Sequence, residues 1–178
     1  MRKALKRIIA TCIIICVSII YADAQSRSFG TTYSFGGIGI NYEHELNGEC
    51  FINAGIRAET ASHFVDENRQ IGMSAAFSCN FIIKEWTSRN GNMICAFAGP
   101  GATVGKSHDT NKDSGYFFGL KGRAGIECRF DRQISISLCL NPIIGSHMVI
   151  FDEHIEMNPY KLGLINTILP EIGINYIF

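Results

Sequence analysis

The sequence predicts an all-β protein, an antiparallel up-and-down transmembrane β-barrel of eight strands with its apolar face turned outward. Three features of the chain support this prediction. Apolar and polar residues alternate with period two, which is the periodicity of strands. Short and long connections alternate between the predicted strands. After the first 24 residues no apolar run is long enough for a spanning helix, so a membrane could be crossed only by strands.

Residues 1–24 have the form of a secretory signal peptide, which leaves residues 25–178 as the barrel domain. A basic start is followed by an apolar run over 8–20 and by the small residues Ala22 and Ala24, where cleavage is expected. A retained membrane anchor is the alternative, although the run is shorter than the roughly 20 residues that a spanning helix needs.

Removal of the leader changes the formal charge of the chain. It takes four of the 16 Lys and Arg residues and one of the 16 Asp and Glu residues, leaving 12 and 15, a net charge near −3. Such a balance does not fit nucleic-acid binding.

Five of the seven cysteines follow the leader: Cys50, Cys79, Cys95, Cys128 and Cys139. None has CxxC or zinc-finger spacing, and all lie in apolar segments, where a free cysteine packs as a small hydrophobe. An odd number cannot pair completely within one exported chain. The cysteines are interpreted as packing residues, with a single disulfide as the open alternative.

The alternation is clearest over 116–130, where Phe118, Leu120 and Ile126 share one face with other apolar residues and the opposite face carries four charges. Similar segments cover 38–46, 49–59, 70–85, 92–105, 133–144 and 169–178. An eighth strand is expected at 28–35, followed by a tight turn at Gly36 and Gly37. Short turns at 47–48, 88–91 and 131–132 have hairpin chemistry, whereas 62–69, 106–115 and about 147–160 are predicted external loops.

The polar faces predict a lumen network with five charges of each sign. A closed interior favours such a balance, because a buried charge without a partner is costly. A soluble β-barrel or sandwich that binds a small apolar ligand would show the same alternation with its faces reversed, and it stays the alternative. The predicted network residues are Glu43, Glu45, Arg57, Glu59, Lys84, Lys121, Arg123, Glu127, Arg129 and Glu171.

The C-terminal segment resembles the closing strand of outer-membrane barrels. Ile172, Ile174, Tyr176 and Phe178 share one face, with a terminal Phe and an aromatic residue two places before it. Segments 36–43 and 141–145 are similar to small barrel proteins of the Bacteroidetes type, within the eight-stranded OmpA/OmpX-like class. The resemblance implies an outer-membrane location in a Gram-negative bacterium, contact with outer-membrane lipid, and insertion by the barrel-assembly machinery.

Candidate chemical sites are weak. The glycine-rich segment 100–107 lacks the spacing of a phosphate-binding loop. Acidic residues and histidines near His108 and His154 could hold a cation, but charged loops are ordinary at a surface. Ser146 and His147 invite comparison with an outer-membrane lipid-modifying esterase, yet neighbours in a strand face opposite ways. We therefore expect no catalytic residue, metal or cofactor, and a structural or surface-interaction role with an external partner that the sequence does not identify.

Overall fold

The computed structural model describes residues 26–60, 71–109, 114–130, 133–151, 154–165 and 168–178, and nearly all of these residues are in β-strands. The predicted leader and the cleavage residues Ala22 and Ala24 lie outside this part of the chain. The described elements are β1 (Arg27–Ser34), β2 (Gly37–Asn47), β3 (Cys50–Glu59), β4 (Gly72–Thr87), β5 (Met93–His108), β6 (Ser114–Phe130), β7 (Ile134–Leu140), β8 (Ile143–Ile150), β9 (Ile155–Pro159), α1 (Lys161–Ile165) and β10 (Glu171–Ile177).

The strands close into an antiparallel barrel of eight strand positions, which confirms the predicted fold class. Consecutive strands pair from β1 to β6, and β1 also pairs with β10 to complete the ring. Strands β7 and β8 pair with β6 in one continuous register, so they are two halves of one position, interrupted at Asn141 and Pro142. Strands β9 and β10 share the eighth position, since β9 pairs with β8 and β10 with β7.

The eighth position contains more residues than its neighbour. Cys139 pairs with Glu171 and Ser146 pairs with Pro159, so the six residues between Cys139 and Ser146 face the eleven residues between Pro159 and Glu171. The five surplus residues leave the wall of the barrel in the region of α1.

The two ends of the barrel differ, and we name them by their connections. The turn end holds the connections after β2, β4 and β6 together with Arg27 and Phe178. The loop end holds the connections after β1, β3, β5 and β8. At the loop end β1 and β2 are joined only by Phe35 and Gly36, where the Gly36 amide donates a hydrogen bond to Ser34 Oγ at 3.1 Å.

The prediction of an external loop over 147–160 is wrong. Strand β8 runs to Ile150 and β9 begins at Ile155. The reason is the length of β6, whose 17 residues give β8 a partner as far as the Tyr116–Met148 pair, while on its other edge β8 pairs with β9 from Ser146 to Ile150. The predicted loop over 106–115 is likewise shorter, because β5 continues to His108.

The two faces of the wall have the predicted orientation. Outward side chains are large and apolar, and Leu120, Ile144 and Met73 are 74%, 72% and 65% exposed. Inward side chains are mostly polar and buried. Two apolar clusters interrupt the polar lumen, one of Phe51, Cys95, Phe97 and Cys139, the other of Phe117, Ile143, Tyr160 and Leu162.

A pair of glycines brings β6 and β8 close together on the lumen side. Gly119 and Gly145 face each other in register. A Cβ added at Gly145 would lie 2.2 Å from the Phe118 carbonyl oxygen and 2.7 Å from Gly119 Cα. These are backbone atoms, so the wall itself would have to move.

We expect Gly145→Ala to lower the free energy of unfolding by about 1–3 kcal/mol, the usual cost of overpacking. Gly48→Ala is the matched control, because nothing lies within 4 Å of an added Cβ in that turn, and its effect should stay within about 0.5 kcal/mol. Urea titration of the folded protein measures both values. Equal effects at the two positions would contradict the close approach.

Candidate functional site

A buried carboxylate connects five strands across the lumen. Glu43 on β2 accepts hydrogen bonds from Asn53 Nδ2 at 3.0 Å, Arg123 at 2.8 Å, Asn175 Nδ2 at 3.0 Å and Ser28 Oγ at 3.4 Å. We call this group the Glu43 clamp. Its donors come from β3, β6, β10 and β1. The Arg123 guanidinium also lies 5.0 Å from the centre of the Phe97 ring, a cation–π distance.

A second network lies at the turn end. Arg129 pairs with Glu127 at 2.8 Å and with Glu45 at 3.6 Å. Ser26 Oγ donates to Glu45 at 2.8 Å, which ties the start of the described chain to the lumen. This network therefore joins β2 and β6 on the turn-end side of the clamp.

A third network lies toward the loop end. Arg57 pairs with Glu171 at 3.0 Å and approaches Glu59 at 3.8 Å. Arg57 also donates to Ser34 Oγ, and Ser74 Oγ donates to Glu59. Strands β1, β3, β4 and β10 are held together by these bonds, so the position where the barrel closes is linked by charge as well as by backbone pairing.

A small polar cavity adjoins the third network. Its volume is about 40 Å³, and Lys121, Asn41 and Asn141 are among its lining residues. Both asparagine side chains are buried, and neither amide has a hydrogen-bond partner among the described residues. Buried polar groups need partners, and a space of this size takes about three waters at 10–15 Å³ each. We expect ordered water there.

Lys84 does not lie with the predicted network, and this part of the prediction is corrected. The register between β4 and β5 shifts between Ile82 and Lys84, a β-bulge. Ile82 packs against the inward Phe97 cluster, whereas Lys84 beyond the bulge pairs with Ala96 and is exposed. One extra residue reverses the face of every side chain that follows. The other nine predicted network residues lie on the lumen side.

The loop end of the lumen is filled by the segment 160–165, which we call the plug. The Tyr160 ring stacks on Phe117 with centroids 4.4 Å apart, and Leu162 is buried in the same cluster. Gly163 permits the close approach, because a Cβ there would lie 2.8 Å from the Ile143 carbonyl oxygen. The plug therefore packs directly on the wall at β8.

Polar contacts fix the start of the plug. Asp109 accepts hydrogen bonds from the Lys161 and Leu162 amides at 3.1 and 2.9 Å, which satisfies free donors at the start of α1. The Tyr160 amide donates to the Gly145 carbonyl at 2.9 Å. His147 Nε2 donates to the Ser107 carbonyl at 2.9 Å beside it.

The described residues do not assemble the chemical sites that the sequence suggested. The partner of the His147 ring is the Ser107 carbonyl, and the His154 ring stacks on Phe151. Segment 100–107 is part of strand β5. Within the described residues no group of three or more His, Cys, Asp or Glu side chains could hold a metal, and no helix is long and apolar enough to span a membrane. Asp113, Asp152 and Glu153 lie outside the described residues.

Comparison with known proteins gives similarity in structure rather than in sequence. No protein-family model matches the chain, and no curated protein matches it. A major outer membrane protein from Thermus thermophilus is 10% identical, with a TM-score of 0.49, over 87% of this chain and 100% of that one. Ail, the attachment invasion locus protein of Yersinia pestis, is 14% identical, with a TM-score of 0.33, over 86% and 95%. Identities this low do not show a family.

Glu43→Ala should be among the most destabilising single substitutions in the lumen. It leaves the Arg123 guanidinium buried without its carboxylate, a change that costs about 3–5 kcal/mol. Replacing both residues, Glu43→Leu with Arg123→Met, should recover part of that loss. Urea unfolding measures each variant. Lys84→Gln is the control, with an expected change within about 0.5 kcal/mol, and a Lys84 effect as large as that of Glu43 would contradict the assigned faces.

Asp109→Ala should release the start of the plug while leaving the barrel closed. Loss of a helix cap costs about 0.5–2 kcal/mol, so amide exchange at Lys161 and Leu162 should accelerate roughly 2- to 30-fold. Hydrogen exchange read by mass spectrometry measures the change. Glu156→Ala is the control, because its carboxylate bonds only Asn158 among the described hydrogen bonds. Unchanged exchange in Asp109→Ala would exclude the cap.

Proposed function

We propose that the protein is an outer-membrane β-barrel without enzymatic activity, whose role is structural or one of surface interaction at the loop end. The observation that carries the proposal is the outward apolar surface. On β4 and just before it, outward apolar residues extend from Ile71 to Ile83. Twelve residues at about 3.3 Å each cover roughly 40 Å of strand. A tilt near 45° reduces this to about 28 Å, close to the roughly 25 Å apolar band of membrane barrels.

Aromatic side chains support the same orientation in a bilayer. Tyr33 and Phe35 are exposed near the loop end, whereas Trp86, Tyr176 and Phe178 are exposed near the turn end. Tyr and Trp favour the membrane–water interface, where the ring meets lipid and the polar atom meets water. In this orientation the turn end faces the periplasm and the loop end faces outward.

The filled lumen supports a role other than conduction. Three ion-pair networks, two apolar clusters and the plug occupy the interior, and eight-stranded barrels are narrow enough for side chains to fill. Contacts with external molecules would then be made by the loop end. The proposed partners are therefore outer-membrane lipid around the wall, the assembly machinery during insertion, and an external molecule that meets the loop end.

The alternative of a soluble barrel for an apolar ligand needs Phe118, Leu120 and Ile126 to point inward. They are 45%, 74% and 50% exposed on the outer face. A lipid-modifying esterase needs a base beside Ser146, whereas the neighbouring His147 is bonded to Ser107 in the lumen. Neither alternative fits the geometry of the described residues.

Cell fractionation and heat-modifiable gel mobility test the proposal. The protein expressed with its leader should appear in the outer-membrane fraction and migrate faster in unheated samples, because a closed barrel resists detergent until it is heated. Recovery as a soluble periplasmic monomer would refute the proposal.

A charge placed on the outer face gives a second test. Leu120→Arg should lower the free energy of unfolding in lipid vesicles by about 2–4 kcal/mol if Leu120 lies near the bilayer midplane. Ile155→Arg is the matched control on the same face near the loop tip, where the expected cost is about 0–1 kcal/mol. Urea titration in vesicles measures both. Equal losses of unfolding free energy at the two positions would contradict a wall that is surrounded by lipid.

A further inference from the structure

We propose that Cys50 and Cys79 form a disulfide in the exported protein. Their Sγ atoms lie 3.4 Å apart, which is van der Waals contact between sulfurs. The described residues include five cysteines, and the sulfur–sulfur contact found among them is the one between Cys50 and Cys79. The inference rests on the proposed function in one respect, because it requires export to an oxidising compartment.

The two cysteines are diagonal neighbours on the outward face of adjacent strands. Cys50 is the first residue of β3 and pairs with Phe81, whereas Cys79 on β4 pairs with Ile52. Diagonal residues on one face of an antiparallel pair are usually about 7–8 Å apart, but these two side chains turn toward each other and bring their Sγ atoms to 3.4 Å. The site is near the turn end, one residue after the Gly48–Glu49 turn. It is therefore close to the proposed periplasmic surface.

The remaining cysteines are placed differently. Cys95 and Cys139 point into the lumen with the Phe51 and Phe97 cluster. Cys128 on β6 pairs with Ile94 of β5 on the outer face, two strand positions away from β4. Three thiols are thus left over when Cys50 and Cys79 pair.

The chemistry balances with a thiol–disulfide oxidoreductase in its disulfide form as the oxidant. The Cys79 thiolate attacks the enzyme disulfide to give a mixed disulfide and one free enzyme thiol. The Cys50 thiolate then attacks the Cys79 sulfur, forming the Cys50–Cys79 bond and releasing the second enzyme thiol. The two cysteines lose two protons and two electrons, and the enzyme disulfide is reduced to a dithiol.

The bond would close a loop of about 28 residues that contains the whole connection from β3 to β4. A cross-link of that length restrains the unfolded chain and favours the paired hairpin. The hairpin would enter assembly with its register already fixed near the turn end. Reduction of the folded protein should lower its unfolding temperature by about 5–10 °C.

Thiol counting on protein from the outer-membrane fraction tests the proposal. The sample is denatured with an alkylating reagent and no reductant, then digested and analysed by mass spectrometry. Three alkylated cysteines and a linked Cys50–Cys79 peptide pair are expected. Cys79→Ser should abolish the link and give four alkylated cysteines, whereas Cys128→Ser, the control, should keep the link and give two.

Five alkylated cysteines in the wild-type protein, or a link between another pair, would overturn the proposal. Fractionation tests the membrane location and thiol counting tests the disulfide, so either proposal can be refuted without the other. Recovery in the soluble fraction refutes the proposed membrane location, while the peptide link in that same material still decides the disulfide.

Discussion

The barrel depends on the clamp around Glu43. A carboxylate buried in a narrow lumen is tolerable only when its oxygens are fully bonded, because the loss of hydration costs several kcal/mol per charge. Here four donors arrive from four other strands, and the charged donor, Arg123, stands across the lumen from β2 and stacks on Phe97. The clamp thereby fixes the distance between opposite walls. Toward either end of the lumen, Arg129 and Arg57 each pair with two glutamates and link further strands.

The lumen contains charged and apolar parts that support each other. A buried ion pair adds little net stability, because the loss of hydration offsets the attraction, whereas the two apolar clusters supply apolar contact. The Phe97 ring contacts an apolar and a charged side chain. It packs against the Phe51 ring with centroids 5.1 Å apart and lies under the Arg123 guanidinium.

The period-two pattern predicted seven strand positions and the faces of most of them, because successive side chains of a strand point to opposite faces. The eighth, at 28–35, was predicted from the alternation of short and long connections. The face of Lys84 was predicted wrongly, because a β-bulge reverses the alternation of the side chains that follow it and has no obvious signal in the sequence. The extent of β8 and β9 was missed because their polar residues resemble a loop, and pairing with a long β6 outweighs that composition. The plug was missed entirely. Asp109 and Leu162 are 53 residues apart in sequence, and nothing local in either segment indicates their contact.

The five-residue surplus in the eighth strand position has a consequence for how such a barrel can vary. The plug is connected to the wall on both sides, since β9 ends at Pro159 and β10 begins at Glu171. Changing the number of surplus residues would alter the depth of the plug in the lumen without disturbing the registers of β9 or β10. The depth of the plug and the closure of the barrel are thus determined separately by one stretch of chain.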